Sequence, residues 1–155
     1  MKLNKKTNIL VIGDLMIDHY LWGSCDRISP EAPVQVINVK KESSVLGGAG
    51  NVINNLVALG SNVDVISVIG NDNVANELKS LLKNINVSTS NLIVENYRKT
   101  SKKSRVIASQ QQVLRYDMES IDDINENSYK QIIQTLEKNI NKYSSIILSD
   151  YGKVF

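Results

Sequence analysis

The chain has 155 residues, 42% of them hydrophobic and 22% charged. One core of about 100 to 200 residues accounts for that length, and the composition excludes disorder and collagen-like structure. Eighteen Lys and Arg against sixteen Asp and Glu leave a net charge of +2, so there is no broad positive field for nucleic acid to recognise. Cys25 is the single cysteine, which excludes an internal disulfide and a cysteine-rich zinc site and fits a reducing, cytoplasmic compartment. The leading MKLNKKT runs into an apolar stretch too short for a signal peptide or a membrane span.

In chain order, NILVIG at residues 8–13 is a continuous apolar run closed by glycine, which predicts a strand buried on both faces. APVQVINVK at 32–40 alternates and then slips at Ile37, which predicts a half-exposed strand with a bulge. GAGNVINNLVALG at 48–60 puts Ala49, Val52, Ile53, Leu56 and Leu59 on one stripe, a helix opened by glycine and stopped by Gly60. VDVISVIG at 63–70 is a second buried strand, and Val74, Leu78, Leu81, Leu82 and Ile85 recur at helical spacing after it. Between 91 and 117, NLIVE, KKSRVIAS and QQVLRYD predict a partly exposed antiparallel ribbon. Residues 124–143 carry Ile132, Ile133, Leu136 and Ile140 on one helical face, and SSIILSD predicts a third buried strand ending at Asp150. This alternation favours an α/β fold with a parallel sheet and covering helices. The chain stops five residues after that strand, where such a sheet ordinarily continues into a crossover, so the fold is expected to be the amino-terminal half of a larger one.

Four groups of residues are placed to carry chemistry. Asp14 and Asp18 follow the first strand, where open α/β sheets place their ligand crevices, and an ionised carboxylate can accept hydrogen bonds from two adjacent hydroxyls. The alternative is that Asp14 caps a turn and Asp18 is solvated. Gly47, Gly48 and Asn51 stand at a helix start, where glycine lets a ligand approach the backbone N–H groups; the alternative is a tight turn before a packed helix. The spacing matches neither a phosphate loop nor a dinucleotide fingerprint. RKTSKKSR at 98–105 has five basic residues in eight; period two sets Lys103 and Arg105 on one face and Lys102 on the other, either as a ligand site or as a solvated strand. His19 is the sole histidine, which argues against a histidine metal site, a Ser-His-Asp triad, or activation of Cys25.

VIGDLMIDHYLWG at 11–23, RISPEAPVQV at 27–36, LGGAGNV at 46–52, QQVLRYD at 111–117 and LSDYGKV at 148–154 together resemble the ribokinase-like (PfkB) sugar kinases, and among them those acting on a heptose 7-phosphate. RISPEAPV is the most specific of these stretches. The resemblance implies a ribokinase-like fold in which segments near 33–40 and 97–117 form a β lid over the sugar, often a homodimer contact in relatives. It implies transfer of the ATP γ-phosphate, with Mg2+, to the anomeric C1 hydroxyl of D-glycero-β-D-manno-heptose 7-phosphate in ADP-heptose synthesis for the lipopolysaccharide core. Many relatives carry a fused adenylyltransferase domain. By the same resemblance Asp18, Gly47, Gly48 and Asn51 contact the sugar, Asp150 is acidic at a strand mouth, Lys103 and Arg105 are the cations for the 7-phosphate, and Asp14 is a further contact. Catalytic residues and most of the ATP pocket are expected outside this chain, which would then be inactive alone. Two other readings are a non-catalytic carbohydrate-binding or dimerisation module and a different sugar or nucleoside kinase of the same fold.

Overall fold

The computed structural model describes residues 7–152. The elements, in order, are β1 (Asn8–Gly13), β2 (Leu15–Ile28), β3 (Gln35–Gly48), α1 (Ala49–Ala58), β4 (Asn62–Gly70), α2 (Asn73–Asn84), β5 (Leu92–Glu95), β6 (Ser101–Ala108), β7 (Gln111–Met118), α3 (Glu126–Asn139) with a short 3-10 turn after it, and β8 (Ser145–Ser149). They build two sheets.

The first sheet, ordered β5-β4-β1-β8, is wholly parallel. Alternate residues of its apolar strands face opposite layers. Val11, Val65 and Ile69 pack with Ile53 of α1 and Leu78 and Leu82 of α2, while Leu10, Ile12, Ile66 and Val68 pack with Ile132 of α3. Local capping fixes where the helices begin. The Asp72 carboxylate accepts the Ala75 N–H at 2.7 Å at the start of α2, and the Asn125 side chain accepts the Ser128 N–H at 2.9 Å at the start of α3. α1 has no side-chain cap; Gly48 precedes it at φ 55°, a left-handed conformation, with the carbonyl of Asp14 where a Cβ would stand.

The second sheet, ordered β3-β2-β6-β7, pairs β2 with β3 and β6 with β7 antiparallel, and β2 with β6 parallel. It rises directly from the first, because only Asp14 separates β1 from β2. One face of its near end, with Ile17 and Leu46, joins the α1 and α2 core.

Several expectations need correcting. A 14-residue strand, β2, follows β1 after a single residue and is not among the expected elements. β3 is likewise longer than the predicted 32–40 segment, and Gly47 and Gly48 are its last residues. The slip expected at Ile37 lies in the pairing with β2, whose register shifts between Trp22 and Gly23 and between Cys25 and Arg27. NLIVE does not enter a ribbon: β5 pairs parallel with β4 at the sheet edge. β8 is not buried, because only β1 covers it among the described residues and Leu148 remains 75% exposed. Lys2, Lys5 and Lys6 of the leading segment lie outside the described residues.

Candidate functional site

The second sheet carries different chemistry on its two faces. Residues opposite one another across strands share a face. Asp18, Tyr20 and Trp22 of β2 therefore lie beside Val45, Ser43 and Lys41 of β3 and beside Lys103, Arg105 and Ile107 of β6. His19, Ser44, Ser104 and Lys102 lie on the reverse face. The period-two placement of Lys103 and Arg105 against Lys102 follows from this register.

On the first face Arg105 Nη1 donates to Asp18 Oδ1 at 2.5 Å, with the two side chains 22% and 21% exposed. This contact, together with the Asp18 charge, raises the Arg105 pKa despite partial burial. A Cβ at position 47 would meet the other Asp18 oxygen, so Gly47 leaves the carboxylate its place. Lys103 Nζ donates to Asp117 at 2.9 Å and to Glu119 at 3.3 Å. The hydrogen bond from Lys103 is the main cause that holds the Asp117 carboxyl below its usual range. Asp18 thus follows the first strand as the fourth residue of β2, and it is ion-paired rather than solvated.

Asp14 is 1% exposed and ties three elements together. Its N–H donates to Ser149 O at 3.0 Å, its carbonyl accepts the Ala49 N–H at 2.9 Å, and Oδ2 accepts the Tyr151 N–H at 2.7 Å. A carboxylate so enclosed orders the mouth of the parallel sheet. The first N–H of α1 is consumed by the same node, so the helix start does not present it to a ligand. Asn51 is exposed in the first turn of α1, on one side of this node. Asp150 is exposed on the other side, past β8, where Oδ1 accepts the Gly152 N–H at 2.6 Å. The chain therefore brings Asp18, Gly47, Lys103 and Arg105 together on one sheet face, with Asn51 and Asp150 flanking Asp14 at its base.

Pairings that sequence reasoning missed lie on the reverse face. His19 Nδ1 is 3.1 Å from Ser104 Oγ and Nε2 is 3.4 Å from Glu42, an order that resembles a catalytic triad. Ser104 is only 1% exposed, however, and so is out of reach of a substrate. Lys102 Nζ donates to Glu77 of α2 at 3.2 Å. Burial would raise the Glu77 pKa, but bonds from Ser44 and Lys102 outweigh it and the net direction is down. A histidine on an otherwise apolar strand face was the one available signal. Among the described residues no group of three His, Cys, Asp or Glu side chains could hold a metal ion. No helix among the described residues is long and apolar enough to cross a membrane.

A parallel sheet flanked by helices, with a second four-stranded sheet rising from its mouth, is the architecture of ribokinase-type sugar kinases, and solved structures share it. A carbohydrate kinase from Agrobacterium tumefaciens superposes with a TM-score of 0.68 at 18% identity, over 92% of this chain and 45% of that one. Arabidopsis thaliana ribokinase complexed with ribose and ATP superposes at 0.60 and 14% identity, over 93% of this chain and 53% of that one. Residues 6–154 match the pfkB family carbohydrate kinase model, and the chain belongs to that family. It is 87% identical over 151 residues to the bifunctional protein HldE of Aliarcobacter butzleri and 59% identical over 145 residues to that of Sulfurimonas denitrificans. These alignments take 97% and 94% of this chain but 32% and 30% of the relatives, so the chain spans about a third of their length.

Proposed function

We propose that this chain is the sugar-binding portion of a kinase that transfers the γ-phosphate of ATP to the anomeric hydroxyl of D-glycero-β-D-manno-heptose 7-phosphate, a cytoplasmic step toward ADP-heptose. The observation that carries the reading is the Asp18 carboxylate, held by Arg105 on the open face of the second sheet with Gly47 beneath it. An ionised carboxylate fixed in this way accepts hydrogen bonds from neighbouring sugar hydroxyls, and the arginine sets its orientation before the sugar arrives. Gly48 and Asn51 at the start of α1 and Asp150 past β8 complete the polar surround of the sugar. Lys103 and Arg105 offer directed N–H donors toward a phosphate.

ATP and Mg2+ belong to the whole kinase in this reading. The described residues offer no nucleotide motif and no group of three His, Cys, Asp or Glu side chains that could hold a metal ion, and phosphoryl transfer needs both substrates held in line. The chain alone is therefore expected to bind sugar phosphate without turning over ATP. In this reading the segments near 33–40 and 97–117 belong to the lid, and the exposed apolar residues Val34, Val39, Val113 and Leu114, with half-buried Ile37 among them, support a homodimer contact there.

The test is calorimetric titration of the chain with heptose 7-phosphate. Asp18→Ala is expected to weaken binding about tenfold to a hundredfold, the value of hydrogen bonds to a charged group. The melting temperature should stay close to that of the parent. An affinity within a factor of two of the parent would remove Asp18 from the site.

A further inference from the structure

The open face of the second sheet extends beyond Asp18 into an aromatic platform. Tyr20 and Trp22, alternate residues of β2, stack with ring centroids 5.5 Å apart and planes inclined by 17°. The Arg105 guanidinium carbon sits 5.4 Å from the Tyr20 ring centroid and the Lys41 ammonium sits 5.1 Å from that of Trp22. The order along the face is Asp18, Arg105, Tyr20, Trp22, Lys41. Trp22 stands four residues along β2 from Asp18, roughly 13 Å at the usual strand rise.

The charge count on this face separates Lys41 from the other cations. Lys103, Arg105 and Arg115 each meet a carboxylate among Asp18, Asp117 and Glu119, so three cations and three anions cancel. Among the described residues Lys41 meets no carboxylate within salt-bridge distance; it is exposed and rests on an indole. Lys41 therefore adds a positive charge to this face that no carboxylate within salt-bridge distance offsets. A phosphate dianion is drawn to an uncompensated cation, whereas a neutral sugar gains nothing from it.

Resting on the sugar-kinase reading above, we propose that Tyr20, Trp22 and Lys41 form the far end of the substrate site. The aromatic faces pack against the C–H surface of the extended sugar tail, and Lys41 receives its terminal phosphate. Lys41 is then the residue that separates phosphorylated from unphosphorylated sugar, while Lys103 and Arg105 hold the carboxylates in place and supply directed donors.

Trp22 is the single tryptophan of the chain, so its emission reports on the platform without a label. The experiment titrates the full 155-residue chain with heptose 7-phosphate, with unphosphorylated heptose and with inorganic phosphate, following Trp22 fluorescence. Heptose 7-phosphate is expected to change the emission saturably. Lys41→Ala should weaken that ligand about tenfold and leave unphosphorylated heptose unchanged, and Lys41→Arg should restore most of the loss. Unchanged preference for the phosphorylated sugar in Lys41→Ala overturns the inference. If Asp18→Ala still weakens binding about tenfold or more in that case, the sugar site stands and only its far end has been misplaced. Saturation by inorganic phosphate at the affinity of the sugar phosphate also overturns it, because the platform would then contribute nothing. If neither Asp18→Ala nor Lys41→Ala alters the titration, both readings fall together.

Discussion

Asp72 holds two backbone groups at once, and its removal gives a stability loss that can be worked out in advance. Oδ1 caps α2 through the Ala75 N–H at 2.7 Å, and Oδ2 accepts the Thr100 N–H at 2.8 Å, one residue before β6 begins. Thr100 is 2% exposed, and its own hydroxyl accepts the Gly70 N–H at 2.9 Å, so water cannot readily replace the lost partner. In Asp72→Ala the missing cap costs about 1 kcal/mol. Leaving a buried N–H unsatisfied costs about 1 to 3 kcal/mol more. The expected total is about 2 to 4 kcal/mol, or roughly 5 to 15 °C in melting temperature for a chain of this size. Asp72→Asn keeps one acceptor oxygen and turns an amide donor toward the other N–H, so it should fall between the parent and the alanine variant. Urea unfolding followed by circular dichroism measures all three proteins. Because β6 carries Lys103 and Arg105, binding of heptose 7-phosphate should fall with the anchor. A loss below about 0.5 kcal/mol for Asp72→Ala, the size of an ordinary surface change, would refute the account.

Gly47→Ala should weaken sugar-phosphate binding in calorimetry about as much as Asp18→Ala while the fold melts normally, because its Cβ displaces the Asp18 carboxylate. Glu95 is half-buried, which would raise its pKa, but bonds from Ser128, Arg98 and the Asn125 N–H outweigh this and lower it. Its stabilisation is therefore full above the ordinary value of 4.5 and is lost as pH falls through the lower folded value; unfolding of Glu95→Gln should show a shallower acid dependence than that of the parent. The Tyr143 phenol is pushed up to about 12 by burial and by its bond to Asp64 at 2.8 Å. Tyr143→Phe should therefore leave the phenolate absorbance near pH 10.5 unchanged. Leu148→Lys should lower self-association in light scattering without loss of stability, since that side chain is exposed on the β8 edge.

Much of the fold was legible because its signals are local. The apolar run of β1, the runs of β4 and the 3.6-residue stripes of α1, α2 and α3 each state a period within a single window. β2 was not, because Leu15, Ile17 and Leu21 alternate with Met16, Tyr20 and Trp22; large side chains on both faces erase the polarity that marks a strand. β5 has four residues, too few to reveal whether its partner runs parallel. β8 shows that an apolar run states what could be buried, while neighbouring elements decide what is. The candidate site was half legible. The acid after the first strand and the basic run were visible, but the Asp18 to Arg105 pair joins residues 87 apart. Only the parallel pairing of β2 with β6 brings them together, and nothing near either residue announces it.

The alternation of β2 and β6 also sets a rule of parity for changes to the second sheet. Asp18 and Arg105 on the open face alternate with His19 and Ser104, which face the other way, so one residue inserted before Asp18 would send the carboxylate toward α2 and bring the histidine out. A two-residue insertion would restore the facing and slide the site along the sheet instead. Beyond Trp22 the rule relaxes, because two register shifts already interrupt the pairing with β3 before the turn at 29–34. The stretch from Asp14 to Trp22 is therefore expected to admit no single-residue change of length, whereas beyond those shifts the facing of a side chain no longer follows from its count along the strand.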